Sequence, residues 1–162
     1  MFKYKLAMST WDHRESDAIQ RVLSSGDFKM GWEVENFERR VAEYLGSKHC
    51  VMVNSGSSAN LLMIQALLLW EQGISVGDEV IVPAFTWVAT ANAVLYCGAT
   101  PVFVDSLEDT WQMDPEDVNR KISSKTKAIM CVHLYGHACD MDLLCEIASS
   151  NNLFLIVDCA EA

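Results

Sequence analysis

The chain changes character at Cys50-Val51-Met52-Val53-Asn54-Ser55-Gly56-Ser57-Ser58-Ala59-Asn60, where a β-branched run gives way to a small-residue turn and then to a long apolar helix. This succession of strand, turn and helix decides the fold, because similar units follow along the rest of the sequence. Small residues at the start of a helix leave backbone N–H groups accessible, and such a helix N-terminus binds phosphate. The stretch therefore predicts an α/β unit that carries a candidate anion site.

Short apolar strands alternate with helices from residue 50 onward. Strands are predicted at 50–53, 79–82, 101–104, 128–132 and 153–157. Helices are predicted at 57–70, at 87–96, after Asp114-Pro115-Glu116 and at 141–149. Nearly unbroken apolar strands separated by helices indicate a largely parallel sheet covered on both faces. The predicted fold class is α/β, an α-β-α sandwich with a mainly parallel sheet.

Two amphipathic helices precede this region. The apolar spacing predicts one at 14–25, ended by Gly26, and another at 34–45, ended by Gly46. We therefore divide the chain into an N-terminal helical segment, residues 1–48, and an α/β part, residues 49–162.

Length and charge limit the possible functions. A chain of 162 residues suits one domain with a sizeable core, and its net charge of −10 argues against nonspecific nucleic-acid binding. No apolar run reaches the roughly 18 residues of a membrane span. No apolar block follows the lysines near the start, so we expect no signal peptide and a cytoplasmic protein without nucleic-acid or membrane partners.

The six cysteines are interpreted as reduced thiols, mostly within or beside apolar runs. Cys131, His133, His137 and Cys139 contain metal-binding side chains, but their spacing matches no zinc pattern. Strand alternation is expected to scatter them, so we predict no metal site.

The chemically suggestive side chains all follow predicted strands or begin helices. Ser57 and Ser58 could bind a phosphate, Trp87 could stack on a flat heterocycle, and Asp158 follows an apolar strand. Ligands of open α/β sheets collect outside the carboxyl ends of the strands. A carboxylate beside a pyridine nitrogen keeps that nitrogen protonated. Together these residues favour a site for a phosphorylated ring that contains nitrogen.

Each of these residues also has a purely structural alternative. The serines could simply cap a helix, and Trp87 could pack into the core. Asp158 could cap a helix that begins at Cys159, with Glu161 completing a capping box.

The motifs resemble the DegT/StrS-type sugar aminotransferases that use pyridoxal phosphate, within the aspartate-aminotransferase fold. The resemblance extends over essentially the whole chain. Its main blocks are Asn54-Ser55-Gly56-Ser57-Ser58-Ala59-Asn60-Leu61, Thr86-Trp87-Val88-Ala89-Thr90-Ala91-Asn92-Ala93, Val132-His133-Leu134-Tyr135-Gly136 and Asp158-Cys159-Ala160-Glu161-Ala162.

The resemblance implies a role for five residues toward the cofactor. Ser57 and Ser58 match the pair that binds the cofactor phosphate, and Trp87 matches the aromatic residue stacked on the ring. Asp158 matches the carboxylate at the ring nitrogen. Glu161 stands where the family usually has Gln or His near the phenolic oxygen, and a glutamate there resembles the perosamine-synthase-like branch.

The resemblance also implies the large domain of a fold type I enzyme, in part, and a homodimer. Its activity would move an amino group from an amino acid, usually glutamate, to a keto-deoxy sugar on a nucleotide. The family's Schiff-base lysine lies after the Asp158 segment, so we assign no catalytic residue within these 162 residues. We expect the sheet to be incomplete and the isolated chain to be inactive.

Three alternatives stay open at this point. Some relatives replace the lysine with histidine and dehydrate the sugar. The chain could instead be a non-catalytic binding or assembly module. An oxidoreductase with a nucleotide-binding α/β domain is a third alternative, which the missing Gly-x-Gly-x-x-Gly fingerprint counts against.

Overall fold

The computed structural model describes residues 9–162, and its contacts divide the chain into two units between Met52 and Val53. The first unit contains α1 (His13–Ser25) and α2 (Trp32–Leu45). The second contains α3 (Gly56–Leu69), β1 (Glu79–Pro83), α4 (Ala89–Tyr96), β2 (Thr100–Val104), α5 (Pro115–Lys121), β3 (Thr126–Val132), a 3-10 turn (Leu134–Gly136), α6 (Met141–Ser150) and β4 (Phe154–Asp158). The domain boundary at residues 48 and 49 remains a prediction.

Local sequence explains both helices of the first unit. Asp12 caps α1 by accepting the Arg14 N–H at 2.7 Å, and the Glu15 carboxylate accepts the Asp12 N–H at 2.8 Å. Gly26 and Gly46 end the two helices with φ of +69° and +66°, a left-handed conformation that glycine adopts without a steric penalty. The two predicted helices are confirmed, although α2 begins at Trp32, earlier than predicted.

The four strands of the second unit form one parallel sheet in the order β2-β1-β3-β4. The chain passes from β1 outward to β2, then crosses back over β1 to β3 and continues to β4. Strand order therefore reverses between β1 and β3. At such a switch point the two neighbouring connections leave in opposite directions, which opens a crevice at the carboxyl ends of the strands.

Helices cover both faces of this sheet. Residues of α3 and α4 pack with alternate residues of the strands in one core: Ile64, Val80, Val82, Ala93, Val94, Ala128, Met130 and Ile156. Residues of α5 and α6 pack with the intervening strand residues in the other: Ile81, Val104, Val118, Ile129, Cys131, Leu144 and Ala148. Right-handed crossovers that run in opposite directions place their helices on opposite faces. The predicted α-β-α sandwich is confirmed.

One predicted strand is wrong. Residues 50–53 adopt no strand, and Val51 and Met52 are exposed. A β-branched run becomes a strand only where a neighbouring strand accepts its backbone hydrogen bonds, and the described sheet pairs β1 to β4 alone. The other four strands are confirmed within two residues of the predicted bounds. Within residues 9–162, the structure has no helix with the length and apolar character of a membrane span.

A buried carboxylate joins α5 to the loop after β2. The Asp117 side chain is only 1% exposed; it accepts the Asp105 N–H at 2.7 Å and pairs with Arg120 at 2.6 Å and Lys121 at 3.0 Å. The Asp105 N–H bond, reinforced by Lys121 and Arg120, lowers the pKa of Asp117 below its ordinary value of 3.8.

We predict that Asp117→Ala lowers the free energy of unfolding by about 1–3 kcal/mol, because the Asp105 N–H loses its buried acceptor. Glu116→Ala, an exposed neighbour on the same helix, is the control and should change stability little.

Thermal unfolding between about pH 5 and pH 2 tests how much the charge of Asp117 contributes to stability. A lowered pKa in the folded state stabilises the protein above about pH 4, and this contribution disappears as the pH falls through the folded-state pKa. The gap between wild type and Asp117→Ala should therefore narrow on acidification, and a constant gap contradicts the assignment.

Candidate functional site

The loops that follow β1, β3 and β4 meet at the carboxyl edge of the sheet. The parallel register places Val132 opposite Asp158, and the His133 N–H donates to the Asp158 carbonyl at 3.0 Å. On the other side of the switch point, the Ala84 N–H donates to the Val104 carbonyl at 2.8 Å. Backbone pairing thus continues one residue beyond the strands and fixes where the site loops begin.

The N-terminus of α3 has a serine cap and two free N–H groups. Ser55 is the capping residue, since its Oγ accepts the Ser58 N–H at 3.2 Å. The N–H groups of Gly56 and Ser57 bond to no residue that the structure describes. Capping is therefore the role of Ser55, and the alternative in which Ser57 or Ser58 caps the helix is not what the structure shows. The Ser55 hydroxyl also donates to Ser58 Oγ at 3.1 Å.

Ser57, Ser58 and Trp87 line a single cavity of about 310 Å³ between α3 and α4. The residues that line it include no lysine or arginine. An anion bound here would rely on hydroxyls, free N–H groups and the positive end of the helix dipole. Trp87 precedes α4 and is 72% exposed, so its indole is not packed in the core as the structural alternative supposes.

Asp158 ends β4 with a buried carboxylate held at both oxygens. Asn60 Nδ2 donates to Oδ2 at 2.7 Å, and the Ala160 N–H donates to Oδ1 at 3.0 Å. Asp158 is 9% exposed and Asn60 is 3% exposed, so the bond between them is inside the protein. Each oxygen of a carboxylate accepts more than one hydrogen bond, so Asp158 retains acceptor capacity for a further donor.

The turn after Asp158 packs against the start of α3. A Cβ placed on Gly56 would lie 3.5 Å from the Cβ of Ala160, which is ordinary van der Waals contact. The N-terminus of α3 and the Asp158 segment are therefore neighbours, although Asp158 and Glu161 do not line the cavity of Ser57 and Trp87.

Glu161 bonds across the edge to the loop after β3. Its carboxylate accepts the N–H of Tyr135, which lies in the 3-10 turn with φ of +57°. Glu161 does not accept the Asp158 N–H, so the alternative in which it completes a capping box is not what the structure shows, and Ala160 and Glu161 lie in a turn.

Two contributors to the edge escaped the sequence-based assignment. Asn60 positions Asp158. Its signal in the sequence was a polar amide in a largely apolar helix, four residues before Ile64 and therefore on the same helix face. The other is Thr86, whose buried Oγ1 has no hydrogen-bond partner among the described residues. An unsatisfied hydroxyl beside Trp87 is a group that a polar ligand could satisfy.

The expectation that strand alternation scatters the cysteine and histidine cluster is wrong for three of its four members. The ligand atoms of Cys131, His133 and Cys139 all lie within 4.8 Å of one another, while His137 is outside the group. Cys131 and His133 are two residues apart and share a face. The loop after His133 then returns Cys139 to the end of β3.

The fold and the carboxyl edge of the sheet define an α/β domain suited to a phosphorylated cofactor. Comparisons with known proteins identify the family to which this domain belongs. The profile of the DegT/DnrJ/EryC1/StrS aminotransferase family matches residues 9–162, so the chain belongs to this family.

The chain is 53% identical over 141 residues to a GDP-perosamine synthase of Escherichia coli O157:H7, a match that covers 87% of this chain and 36% of that protein. It is 42% identical over 163 residues to a GDP-4-keto-6-deoxy-D-mannose 3-dehydratase of Yersinia pseudotuberculosis, covering 100% of this chain and 42% of the relative. The chain thus spans about two fifths of the length of these relatives.

Among solved structures, a GDP-4-keto-6-deoxymannose-3-dehydratase with a trapped PLP-glutamate geminal diamine superposes with a TM-score of 0.93 at 41% identity. The match covers 98% of this chain and 42% of that one. The structural neighbours are fold type I enzymes that use pyridoxal phosphate (PLP), which confirms the predicted fold type.

We predict that Asn60→Asp destabilises the chain at neutral pH, because it replaces a donor 2.7 Å from Asp158 with a second buried carboxylate. The loss should be about 2–5 kcal/mol and should diminish at low pH, where one carboxyl takes up the shared proton. Thermal unfolding at neutral and acidic pH measures both effects. Asn119→Asp, on the exposed side of α5, is the matched control. Equal unfolding temperatures for the two variants would show that the bond to Asp158 contributes nothing.

Proposed function

We propose that the chain forms the N-terminal part of the cofactor-binding domain of a PLP-dependent enzyme that transfers an amino group to a keto-deoxy sugar nucleotide. The observation that carries this proposal is Asp158, a buried carboxylate at the end of β4 that Asn60 holds beside the N-terminus of α3. In this arrangement the end of β4 supplies a carboxylate for a ring nitrogen, and the neighbouring N-terminus of α3 supplies donors for a phosphate.

PLP, when bound, supplies a protonated pyridine ring that withdraws electrons from the reacting carbon of an amino substrate. In our proposal Asp158 holds the proton at the ring nitrogen through a charge-assisted hydrogen bond. Asn60 and the Ala160 N–H keep the Asp158 carboxylate oriented while leaving it acceptor capacity. Burial of the pair strengthens this interaction because water competes weakly there.

The start of α3 is proposed as the phosphate end of the same site. The N–H groups of Gly56 and Ser57 have no partner in the described part of the chain, and Ser57 and Ser58 line the adjoining cavity. The Asp158 segment packs beside the start of this helix, where Ala160 lies next to Gly56. These features fit a phosphate monoester that needs several donors and no cation from the cavity wall.

Trp87 and Glu161 are proposed to contact the ring. The exposed indole of Trp87 lines the same cavity as Ser57 and offers a flat surface for stacking. Glu161 is proposed to lie near the phenolic oxygen, oriented by its bond from the Tyr135 N–H. Large apolar side chains border the cavity, Val88 and Tyr96 among them, and we propose that a second copy of the protein covers them.

The substrate assignment rests on the relatives and on Glu161. The GDP-perosamine synthase is the more identical of the two relatives described, and glutamate at position 161 fits that branch. We therefore propose a 4-keto-6-deoxy sugar nucleotide as acceptor and an amino acid, glutamate, as donor.

A second function, PLP-dependent dehydration of the sugar, is supported by the 3-dehydratase structure and its TM-score of 0.93. The two proposals differ in the residue that follows the Asp158 segment in the complete protein. Lysine there supports amino transfer, because an amine can hold the cofactor covalently and shuttle a proton, whereas histidine supports dehydration. Reading the codons after Ala162 discriminates them.

We predict that Asp158→Ala weakens PLP binding by the chain about 10- to 150-fold, the loss expected for one hydrogen bond to a charged group. Equilibrium dialysis with PLP measures the dissociation constant, and circular dichroism checks folding. Asp142→Ala, an exposed acid on α6, is the control and should bind as wild type does. Equal affinity of Asp158→Ala and wild type would refute the ring-nitrogen assignment. A wild-type chain that binds no PLP would favour the non-catalytic module.

Trp87→Ala should weaken PLP binding less, about 2- to 13-fold, because stacking contributes roughly 0.5–1.5 kcal/mol beyond burial. Trp70→Ala is the matched control, since Trp70 is also exposed but lies at the far end of α3. The same dialysis experiment compares both variants. A Trp87→Ala loss as large as that of Asp158→Ala, accompanied by a changed circular dichroism spectrum, would show that Trp87 is mainly structural.

A further inference from the structure

Two thiols and an imidazole converge beneath the loop that follows β3. Cys131 lies in β3, His133 follows that strand, and Cys139 lies just before α6. The three ligand atoms are within 4.8 Å of one another. Cys131 and Cys139 are 0% and 4% exposed, and His133 is half-buried.

The surrounding backbone holds these side chains in place. The Cys139 N–H donates to His133 Nδ1 at 3.3 Å, so a lone pair of the ring faces the Cys139 residue. Cys139 Sγ lies 3.2 Å from the Val132 carbonyl, and Cys131 Sγ lies 3.6 Å from the Ile156 carbonyl. The group is therefore assembled before any ligand binds.

Gln112 supports the same loop from the opposite side. Its amide is buried; it donates to the Leu134 carbonyl at 3.1 Å and accepts the Leu134 N–H at 3.3 Å. Its Oε1 also lies 3.4 Å from Cys139 Sγ. These hydrogen bonds of Gln112 fix the path of the chain between His133 and Cys139. The distance between these two side chains depends on that path.

We propose that Cys131, His133 and Cys139 bind a divalent zinc-class ion. Two sulfurs and one imidazole nitrogen are donors that zinc prefers, whereas calcium and magnesium require oxygen. Zinc bonds of about 2.3 Å to sulfur and 2.0–2.1 Å to nitrogen need donors roughly 3.5 Å apart. The donors lie within 4.8 Å of one another, so a contraction of at most about 1.3 Å completes the geometry. Water can take the fourth position, as it does in other sites with three protein ligands.

Binding would exchange protons for metal bonds without any redox change. The two thiols lose their protons to solvent, and their hydrogen bonds to the Val132 and Ile156 carbonyls are broken. The Cys139 N–H releases the lone pair of His133 Nδ1, and two sulfur–metal bonds and one nitrogen–metal bond replace water ligands of the ion.

None of these three residues is among those proposed for PLP. The loop they anchor includes Tyr135, whose N–H holds Glu161, so a bound ion would also restrain that contact. The metal proposal stands on the cluster geometry alone, and its test uses no PLP.

The experiment measures metal in the reduced full chain. The chain is equilibrated with Zn²⁺, dialysed and assayed for zinc by mass spectrometry, and titrated in parallel with Co²⁺, whose absorption reports thiolate coordination. We expect one zinc per chain and a thiolate-to-cobalt charge-transfer band. Cys131→Ser and Cys139→Ser should abolish the band, and Cys145→Ser, an exposed cysteine on α6, should retain it.

His133→Gln keeps both buried thiols. It therefore tests the site even where the cysteine variants fail to fold. It should weaken Co²⁺ binding by at least about 10- to 100-fold, the loss that removal of even an outer-sphere partner causes. Three results would overturn the proposal: no zinc retained by the wild-type chain, zinc retained by the double variant C131S/C139S, or a Cys131–Cys139 disulfide that forms in preference to the metal complex.

Discussion

The hydrogen bond from Asn60 Nδ2 to Asp158 Oδ2 is the constraint on which the candidate site depends. It joins α3 to the end of β4 across 98 positions of sequence at a distance of 2.7 Å. Without it a carboxylate that is only 9% exposed would have a single described donor, the Ala160 N–H. The bond also fixes the start of α3 beside the turn after Asp158, where Gly56 lies next to Ala160. The single bond therefore both stabilises the buried charge of Asp158 and fixes the position of α3.

The parallel sheet makes this bond possible. Alternate residues of β1, β3 and β4 fill two separate cores, so helices cover both faces and only the strand ends remain for ligands. The reversal of strand order between β1 and β3 opens the edge at one place. Trp87 enters that edge from one side, and Asp158 and the loop carrying Tyr135 enter it from the other. The membership of the chain in the DegT/DnrJ/EryC1/StrS family agrees with this geometry.

Local patterns predicted most elements because their causes are local. Asp114 caps α5, Gly26 and Gly46 end α1 and α2, and apolar runs form β1 to β4. Contacts between distant segments could not be predicted in this way. Residues 50–53 have the composition of a strand but no described partner, and Asn60 gained its role only when β4 met α3. Cys139 lies close to Cys131 because the loop between them is held by Gln112. The sequence spacing of the two cysteines does not predict the path of that loop.

The most direct test of the central claim, that this edge binds PLP, is a ¹⁵N NMR titration of the chain with PLP and, separately, with inorganic phosphate. We expect both ligands to shift the backbone amides of Gly56 and Ser57, because both carry a phosphate. Only PLP should also shift the indole N–H of Trp87 and the backbone amides around Asp158. Shifts confined to other residues, or identical shifts with the two ligands, would contradict the claim.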